Sequence, residues 1–124
     1  LAQRPAIEWA ELAGHDCSAL APGSGNRLLI EQGLAGNGAR PRWSCEAQHV
    51  PAVLSLIEAG VGVGAVPQLA LAGATSAALV SIPLVAPRIA RSVGIVRRRG
   101  RPLSPAAQAF HDAVAGAAQR LRFQ

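Results

Sequence analysis

The apolar positions of this chain fall into two kinds of segment: short runs typical of strands, and longer stretches with the spacing of a helix. The short runs predict strands over residues 17–21, 41–46, 61–66 and 79–85, with a weaker alternating strand over 91–98. Helical spacing predicts a short helical turn over 5–13, helices over 26–35, 48–59 and 104–122, and a short helix or turn over 68–74. This order predicts an α/β fold with a largely parallel sheet.

Individual residues predict how these elements end and which side they bury. Gly60 is placed just past the end of the 48–59 helix, and Ser104-Pro105 forms a cap followed by a proline in the first helical position. Gly62 and Gly64 indicate a close approach to the third strand. The predicted inward faces are Trp9 and Leu12; Leu29, Gly33 and Leu34, with Ile30 at the edge of that face; Val50, Val53, Leu54 and Ile57; and Ala107, Phe110, Val114, Ala117 and Leu121.

Composition limits the class of protein. The 124 residues suffice for one compact α/β unit, half of them are apolar, and no apolar run reaches the roughly 18 residues of a membrane span. Cys17 and Cys45 lack CxxC spacing, so we expect free buried thiols in a cytoplasmic protein. The chain opens on Leu1 rather than Met, and we therefore expect it to be a piece of a longer protein.

Positive charge is concentrated late in the chain. The net charge is +5, and eight of the twelve basic residues, all arginine, lie from Arg88 onward. The run Arg97–Arg101 is consistent with a nucleic-acid patch or with a solvated turn. No recognition helix or aromatic stacking pattern accompanies it, which favours the solvated turn.

Catalytic and metal sites find little support in the sequence. His15, His49 and His111 lack metal-ligand spacing. Ser24 stands in Gly-Ser-Gly but not in the fuller G-x-S-x-G pattern of a nucleophile turn, and no obvious His/Asp pair follows. We predict no enzyme activity, no metal and no cofactor.

Three places form a candidate binding edge instead. Ser24-Gly25, Gln48-His49 and Pro67-Gln68 each follow a predicted strand, and ligands bind at the carboxyl ends of strands in open α/β sheets. Free N–H groups at a helix start suit an anion, and glycine lets it approach the backbone. Ser24 could equally be only a helix cap, and His49 only a solvated residue.

Four segments resemble one known family. Val53–Pro67, VLSLIEAGVGVGAVP, is similar to the helix and "aGlGva-lP" run of LysR-type transcriptional regulators. Weaker likenesses to the same family, in the same order, are Trp9–Gly14, Gly23–Arg27 and Leu103–Phe110. Together they span nearly the whole chain.

The resemblance implies the C-terminal part of an effector-binding domain with a type II periplasmic-binding-protein-like fold. Residues 5–87 would form the second lobe, and 88–124 a crossover strand and a helix belonging to the first lobe. The resemblance also implies that the DNA-binding winged helix-turn-helix is absent from this chain. The three places of the binding edge match segments that line the family's effector cleft. Gln48-His49 departs from the family pattern, because many members have small hydroxyl residues at this place.

The predicted function is therefore to bind a small anionic metabolite and to regulate DNA binding by the missing head of a bacterial, cytoplasmic homo-oligomer. A transporter's solute-binding protein is the first alternative, because it shares the fold. A basic nucleic-acid binder and an enzyme using Ser24 are the others.

Overall fold

The computed structural model describes residues 1–72 and 76–120. Contacts divide the chain into two compact units, Leu1–Ala90 and Arg91–Gln124. The predicted participation of Ala74 in a helix, of Leu121 in the last apolar stripe, and the predicted helix end near Arg122 lie outside the described residues. The assignment of residues 5–87 and 88–124 to two lobes stays a prediction.

From β2 onward the elements of the first unit alternate as predicted, whereas β1 lies in the segment that was predicted as a helical turn. Strands are β1 (Ile7–Glu8), β2 (Asp16–Leu20), β3 (Arg42–Ala47), β4 (Val63–Gly64) and β5 (Leu84–Val85). A 3₁₀ helix (Trp9–Gly14) and three α-helices, α1 (Gly25–Leu34), α2 (Val50–Glu58) and α3 (Gln68–Leu71), connect them. The expectation of an α/β protein is confirmed.

All strand pairs are parallel, but they form two sheets rather than one. In the three-stranded sheet the order is β3-β2-β4, so β2 is central, and β1 pairs separately with β5. Central parallel strands are covered on both faces, which suits the buried run from Cys17 to Leu20.

The crossovers of the larger sheet run in opposite directions. From β2 the chain passes through α1 to β3 on one side, and from β3 it returns through α2 to β4 on the other. Because parallel crossovers are almost always right-handed, α1 and α2 belong on opposite faces of this sheet. The carboxyl ends of β2 and β3 are therefore a topological switch point, where ligands bind in open α/β folds.

The hydrophobic core lies beside β2. Trp9 and Leu12 are buried as predicted, and the Trp9 indole N–H donates to the Pro87 carbonyl oxygen at 3.0 Å. The cluster also contains Ile7, Cys17, Ile30, Leu34, Ala39 and Ala65, with Trp43, Val63, Ile82, Leu84 and Ile89 packed against it. This cluster thus consists of aliphatic residues, one cysteine and two tryptophans.

Helix α2 lies within its predicted range, and of its predicted inward face Val50, Leu54 and Ile57 are only half-buried. Val53 is fully buried, and Gly60 adopts φ +79° directly after the helix. The N–H groups of Gly60 and Val61 donate to the carbonyl oxygens of Ile57 and Leu56 at 2.9 and 3.1 Å. This bond pair is the Schellman motif, which needs a left-handed residue and so favours glycine.

The inward face of α1 was predicted correctly only in part, since Leu34 and the edge residue Ile30 are buried but Arg27 was missed. Its buried residues are Arg27, Ile30 and Leu34, while Leu29 and Gly33 are only half-buried. The apolar count missed Arg27, because a charged residue is assigned to solvent unless its partners are known.

Two strands are shorter than predicted. Only Val63 and Gly64 pair within residues 61–66, since Gly62 adopts φ +146° and interrupts the extended backbone. Only Leu84 and Val85 pair within residues 79–85. Proline at position 83 has no N–H that could donate a hydrogen bond to a neighbouring strand.

The second unit contains one helix, α4 (Pro105–Arg120), among its described residues. The Ser104 hydroxyl accepts a hydrogen bond from the Ala107 N–H at 3.3 Å, as a cap should. The predicted strand over 91–98 is wrong: these residues pair with no described strand and are exposed throughout. A strand exists only through a neighbour that completes its hydrogen bonds. The predicted inward stripe of α4 is wrong at Phe110, which is 73% exposed.

We predict that Gly62 and Gly64 cannot accept a side chain. A Cβ at Gly62 would overlap the Asp16 carbonyl oxygen, and one at Gly64 would lie 2.5 Å from Ile57 Cδ1 and 3.1 Å from the Ser18 carbonyl oxygen. Replacing either with Ala should lower the free energy of unfolding by roughly 1–3 kcal/mol, with Gly62→Ala the worse because of its φ. Urea denaturation measures this.

Gly14→Ala is the matched control for these variants, because a Cβ there would meet no atom within 4 Å. Gly62 and Gly64 variants as stable as this control would contradict the close packing of β4 on β2 and α2.

Candidate functional site

The carboxyl ends of β2, β3 and β4 lie at one edge of the three-stranded sheet. The parallel register pairs Leu20 with Ala47 and Ser18 with Gly64. One further bond, from the Ala21 N–H to the Ala47 carbonyl oxygen at 2.9 Å, extends the first pairing into the loops. The predicted site residues follow these ends: Ser24 and Gly25 after β2, Gln48 and His49 after β3, and Pro67 and Gln68 after β4.

Ser24 is the N-cap of α1. Its hydroxyl oxygen accepts a hydrogen bond from the Arg27 N–H at 3.1 Å, and its own N–H donates to the Ala21 carbonyl oxygen at 3.2 Å. This fixes the turn and leaves the N–H groups of Gly25 and Asn26 without an acceptor among the described residues. Gly25 is exposed and no protein atom crowds it, so nothing in this turn itself requires glycine.

His49 is the N-cap of α2, but its side chain makes no capping bond. Its carbonyl oxygen instead accepts from the N–H groups of Ala52 and Val53 at 3.1 and 3.3 Å. Pro51 removes one N–H from the first turn, so α2 offers an anion fewer donors than α1 does. The side chains of Gln48 and His49 are exposed and make no hydrogen bond within the described residues.

Pro67 and Gln68 contribute least to this edge. They begin α3, which has four residues, and Pro67 has no N–H. A single helical turn has a small dipole, so this start adds little field. The longer helices at this edge are α1 and α2.

Sequence reasoning missed the most constrained side chain at this edge, Arg27. Its Nε donates to Glu31 at 2.7 Å, and its Nη1 donates to Glu46 at 3.2 Å and to the Leu20 carbonyl oxygen at 3.5 Å. The guanidinium carbon lies 4.6 Å from the centre of the Trp43 ring. The i,i+4 spacing of Arg27 and Glu31 was a readable signal; the approach of Glu46 depends on how β3 pairs.

Cys17 is a core thiol rather than a nucleophile. Burial raises the pKa of its thiol, opposed by a backbone hydrogen bond with Arg42 and reinforced by the charge of Asp16. Its Sγ lies 3.5 Å from the His15 and 3.6 Å from the Leu12 carbonyl oxygens. Cys45 is free as predicted but only half-buried.

The described residues hold no metal cluster. Among residues 1–72 and 76–120, no three His, Cys, Asp or Glu side chains come together in a way that could bind an ion. In that same part of the chain, no helix has the length and apolar character to cross a membrane. Arg97–Arg101 and Pro102 line an open surface recess of about 490 Å³ in the second unit.

Comparison with known proteins decides the family. The family model of the LysR substrate binding domain matches residues 1–119, nearly the whole chain. The chain belongs to this family. Substrate-binding domains of LysR regulators have the type II periplasmic-binding-protein-like fold, and the α/β architecture of the chain agrees with it.

The chain is also similar to part of several longer transcriptional regulators. It is 44% identical over 110 residues to the uncharacterized HTH-type transcriptional regulator YbhD of Escherichia coli, a match to 89% of this chain and 35% of that protein. It is 33% identical to YfeR of Shigella flexneri, over 92% of this chain and 37% of the relative. The transcriptional dual regulator GltC of Bacillus subtilis is 35% identical over 62% of this chain and 26% of its own length. The chain thus spans about a third of the length of the first two.

We predict that the Ser24 hydroxyl stabilises this LysR domain as a cap. Ser24→Ala should lower the free energy of unfolding by about 1 kcal/mol, because the Arg27 N–H loses its acceptor. Ser24→Asp should keep the stability, since a carboxylate caps as well as a hydroxyl does. Urea denaturation of both variants measures the difference, and equal losses in the two would argue against the cap.

Proposed function

We propose that this LysR substrate-binding domain senses a small anionic metabolite at the edge formed by the starts of α1 and α2. The parallel pairing of β2 with β3 is the main support for this proposal, because it brings two helix N-termini to a topological switch point. Each N-terminus acts as roughly half a positive charge. The N–H groups of Gly25, Asn26 and Val50 donate to no described residue and could bind the anion.

The remaining side chains of this edge would select among anions. Gln48 and His49 are exposed beside the α2 start, and both can donate hydrogen bonds to a carboxylate or sulfate oxygen. The Ser24 hydroxyl accepts from Arg27 but keeps its own hydrogen for a ligand. Pro67 and Gln68 close the edge at β4. The domain would respond by a population shift, because an anion that binds one arrangement better favours that arrangement.

In the parent regulator the signal would reach an N-terminal DNA-binding head. The relatives' description as HTH-type transcriptional regulators supports this, as does their extra length. We propose for the parent a cytoplasmic homo-oligomer that uses residues 5–87 as its second lobe and 88–124 as part of the first. The family match does not favour the solute-binding alternative. Sensing rather than catalysis is the proposed role, because the relatives are regulators.

We predict where anions bind. Adding sulfate or succinate to the chain should shift amide NMR signals at residues 24–27 and 48–50, with millimolar affinity. Ser24→Ala should weaken binding by about tenfold or more if the hydroxyl donates to the anion, the usual effect of a hydrogen bond to a charged group. Shifts clustered at Arg97–Arg101 would instead favour a basic-patch function and contradict the effector edge.

We predict that the chain self-associates. Phe110 on α4 and Val93, Ile95 and Val96 before it are exposed, and exposed apolar surface tends to recruit another chain. Sedimentation velocity should show species larger than a monomer, and Phe110→Asp should reduce them. Ala118→Asp, at another exposed position of α4, controls for the added charge. A clean monomer with a cooperative melt would contradict this prediction.

A further inference from the structure

Arg27 occupies a position where its charge is intrinsically unfavourable. It is the third residue of α1, next to the positive end of the helix dipole, and its side chain is only 8% exposed. A buried cation at a helix N-terminus loses hydration and meets a field of its own sign. Its retention there depends on compensating anions or acceptors close by.

Arg27 is held more firmly in place than its two carboxylate partners are. Arg27 is confined by Trp43, by the Leu20 carbonyl oxygen and by its own helix. Its two carboxylate partners are far more exposed, with the side chain of Glu46 at 40% and that of Glu31 at 52%. Exposed carboxylates leave an ion pair at little cost, because water replaces what they lose. The cation is fixed, and its counter-ions are exchangeable.

The guanidinium also lies at the switch point itself. Leu20 is the last residue of β2, and Glu46 is the second-last residue of β3, two positions before Gln48. The Nη2 group of Arg27 makes no hydrogen bond to any described residue, although Nε and Nη1 both do. Arginine can hold a carboxylate or sulfate through two parallel N–H bonds.

We propose that Arg27 is the residue that recognises the anion, and that the bound carboxylate or sulfate replaces Glu46 on its guanidinium. This inference rests on the proposed function and adds a charged side chain to a site otherwise formed by backbone N–H groups. The exchange frees the Glu46 carboxylate on β3, directly before the Gln48-His49 start of α2. Anion binding at α1 thereby releases a side chain on β3, without any rearrangement of the core.

The decisive variant is Glu46→Gln, which removes the competing charge and leaves Glu31 on Arg27. Titration of the chain with sulfate and with succinate, followed by amide NMR, should show affinity raised about tenfold, the usual worth of a charged hydrogen bond. Glu58→Gln is the matched control. It changes the net charge equally, but lies about 12 Å along α2 from its start and should alter affinity little at physiological salt. Loss of a nearby negative charge alone would also raise the affinity, so the gain counts for Arg27 only where it depends on that residue.

Arg27 variants complete the test. Arg27→Met should abolish the gain from Glu46→Gln in the double variant, and Arg27→Lys should keep part of the affinity, since lysine keeps the charge but lacks the fork. Melting curves establish that each variant is folded before it is titrated. If anions shift residues 24–27 and 48–50 in the wild type, but Glu46→Gln binds them no more tightly than Glu58→Gln does, this inference is wrong and the proposed function stands. If no anion shifts that edge at all, both fail.

Discussion

The parallel pairing of β2 with both of its neighbours is the constraint on which the rest of this unit depends. A parallel strand must be followed by a crossover, so each pairing determines where a helix can start. With β2 between β3 and β4, the starts of α1 and α2 meet at one edge while their bodies belong on opposite faces. Gly62 and Gly64 permit this arrangement, because a side chain at either would overlap backbone or side-chain atoms of its neighbours. The candidate site is thus a consequence of strand order rather than of any one motif.

The hydrophobic packing of α1 also buries a charged side chain, which is electrostatically unfavourable. Burying Ile30 and Leu34 fixes the rotation of α1, and at that rotation Arg27 is carried inward as well. Its charge is then offset by Glu31, Glu46 and the face of Trp43. An apolar residue at position 27 would remove the conflict. The presence of a cation there is therefore understandable if the edge meets an anion, which is the argument for linking Arg27 to the ligand.

Much of this unit could be predicted from local pattern. The capping of α4 by Ser104, the Schellman end at Gly60 and the buried Trp9, Leu12 and Val53 all follow from residue type and spacing within about one turn. What failed depended on partners distant in sequence. Residues 91–98 have alternation but pair with no strand among the described residues, and Arg27 has a partner nineteen residues away on β3. Periodicity reports which side of an element is apolar, and it carries no information about which strand lies beside it.

Affinity and selectivity would come from different parts of such an edge. The N–H groups of Gly25, Asn26 and Val50 are supplied by the fold, since any sequence that places α1 and α2 after parallel strands presents them. They favour negative charge but do not distinguish one anion from another of similar size. Side chains can differ without changing the fold, and Gln48 and His49 are exposed at the α2 start and make no side-chain hydrogen bond within the described chain. If the edge holds an effector, the backbone sets its charge, Arg27 sets its orientation, and positions 48 and 49 set its identity.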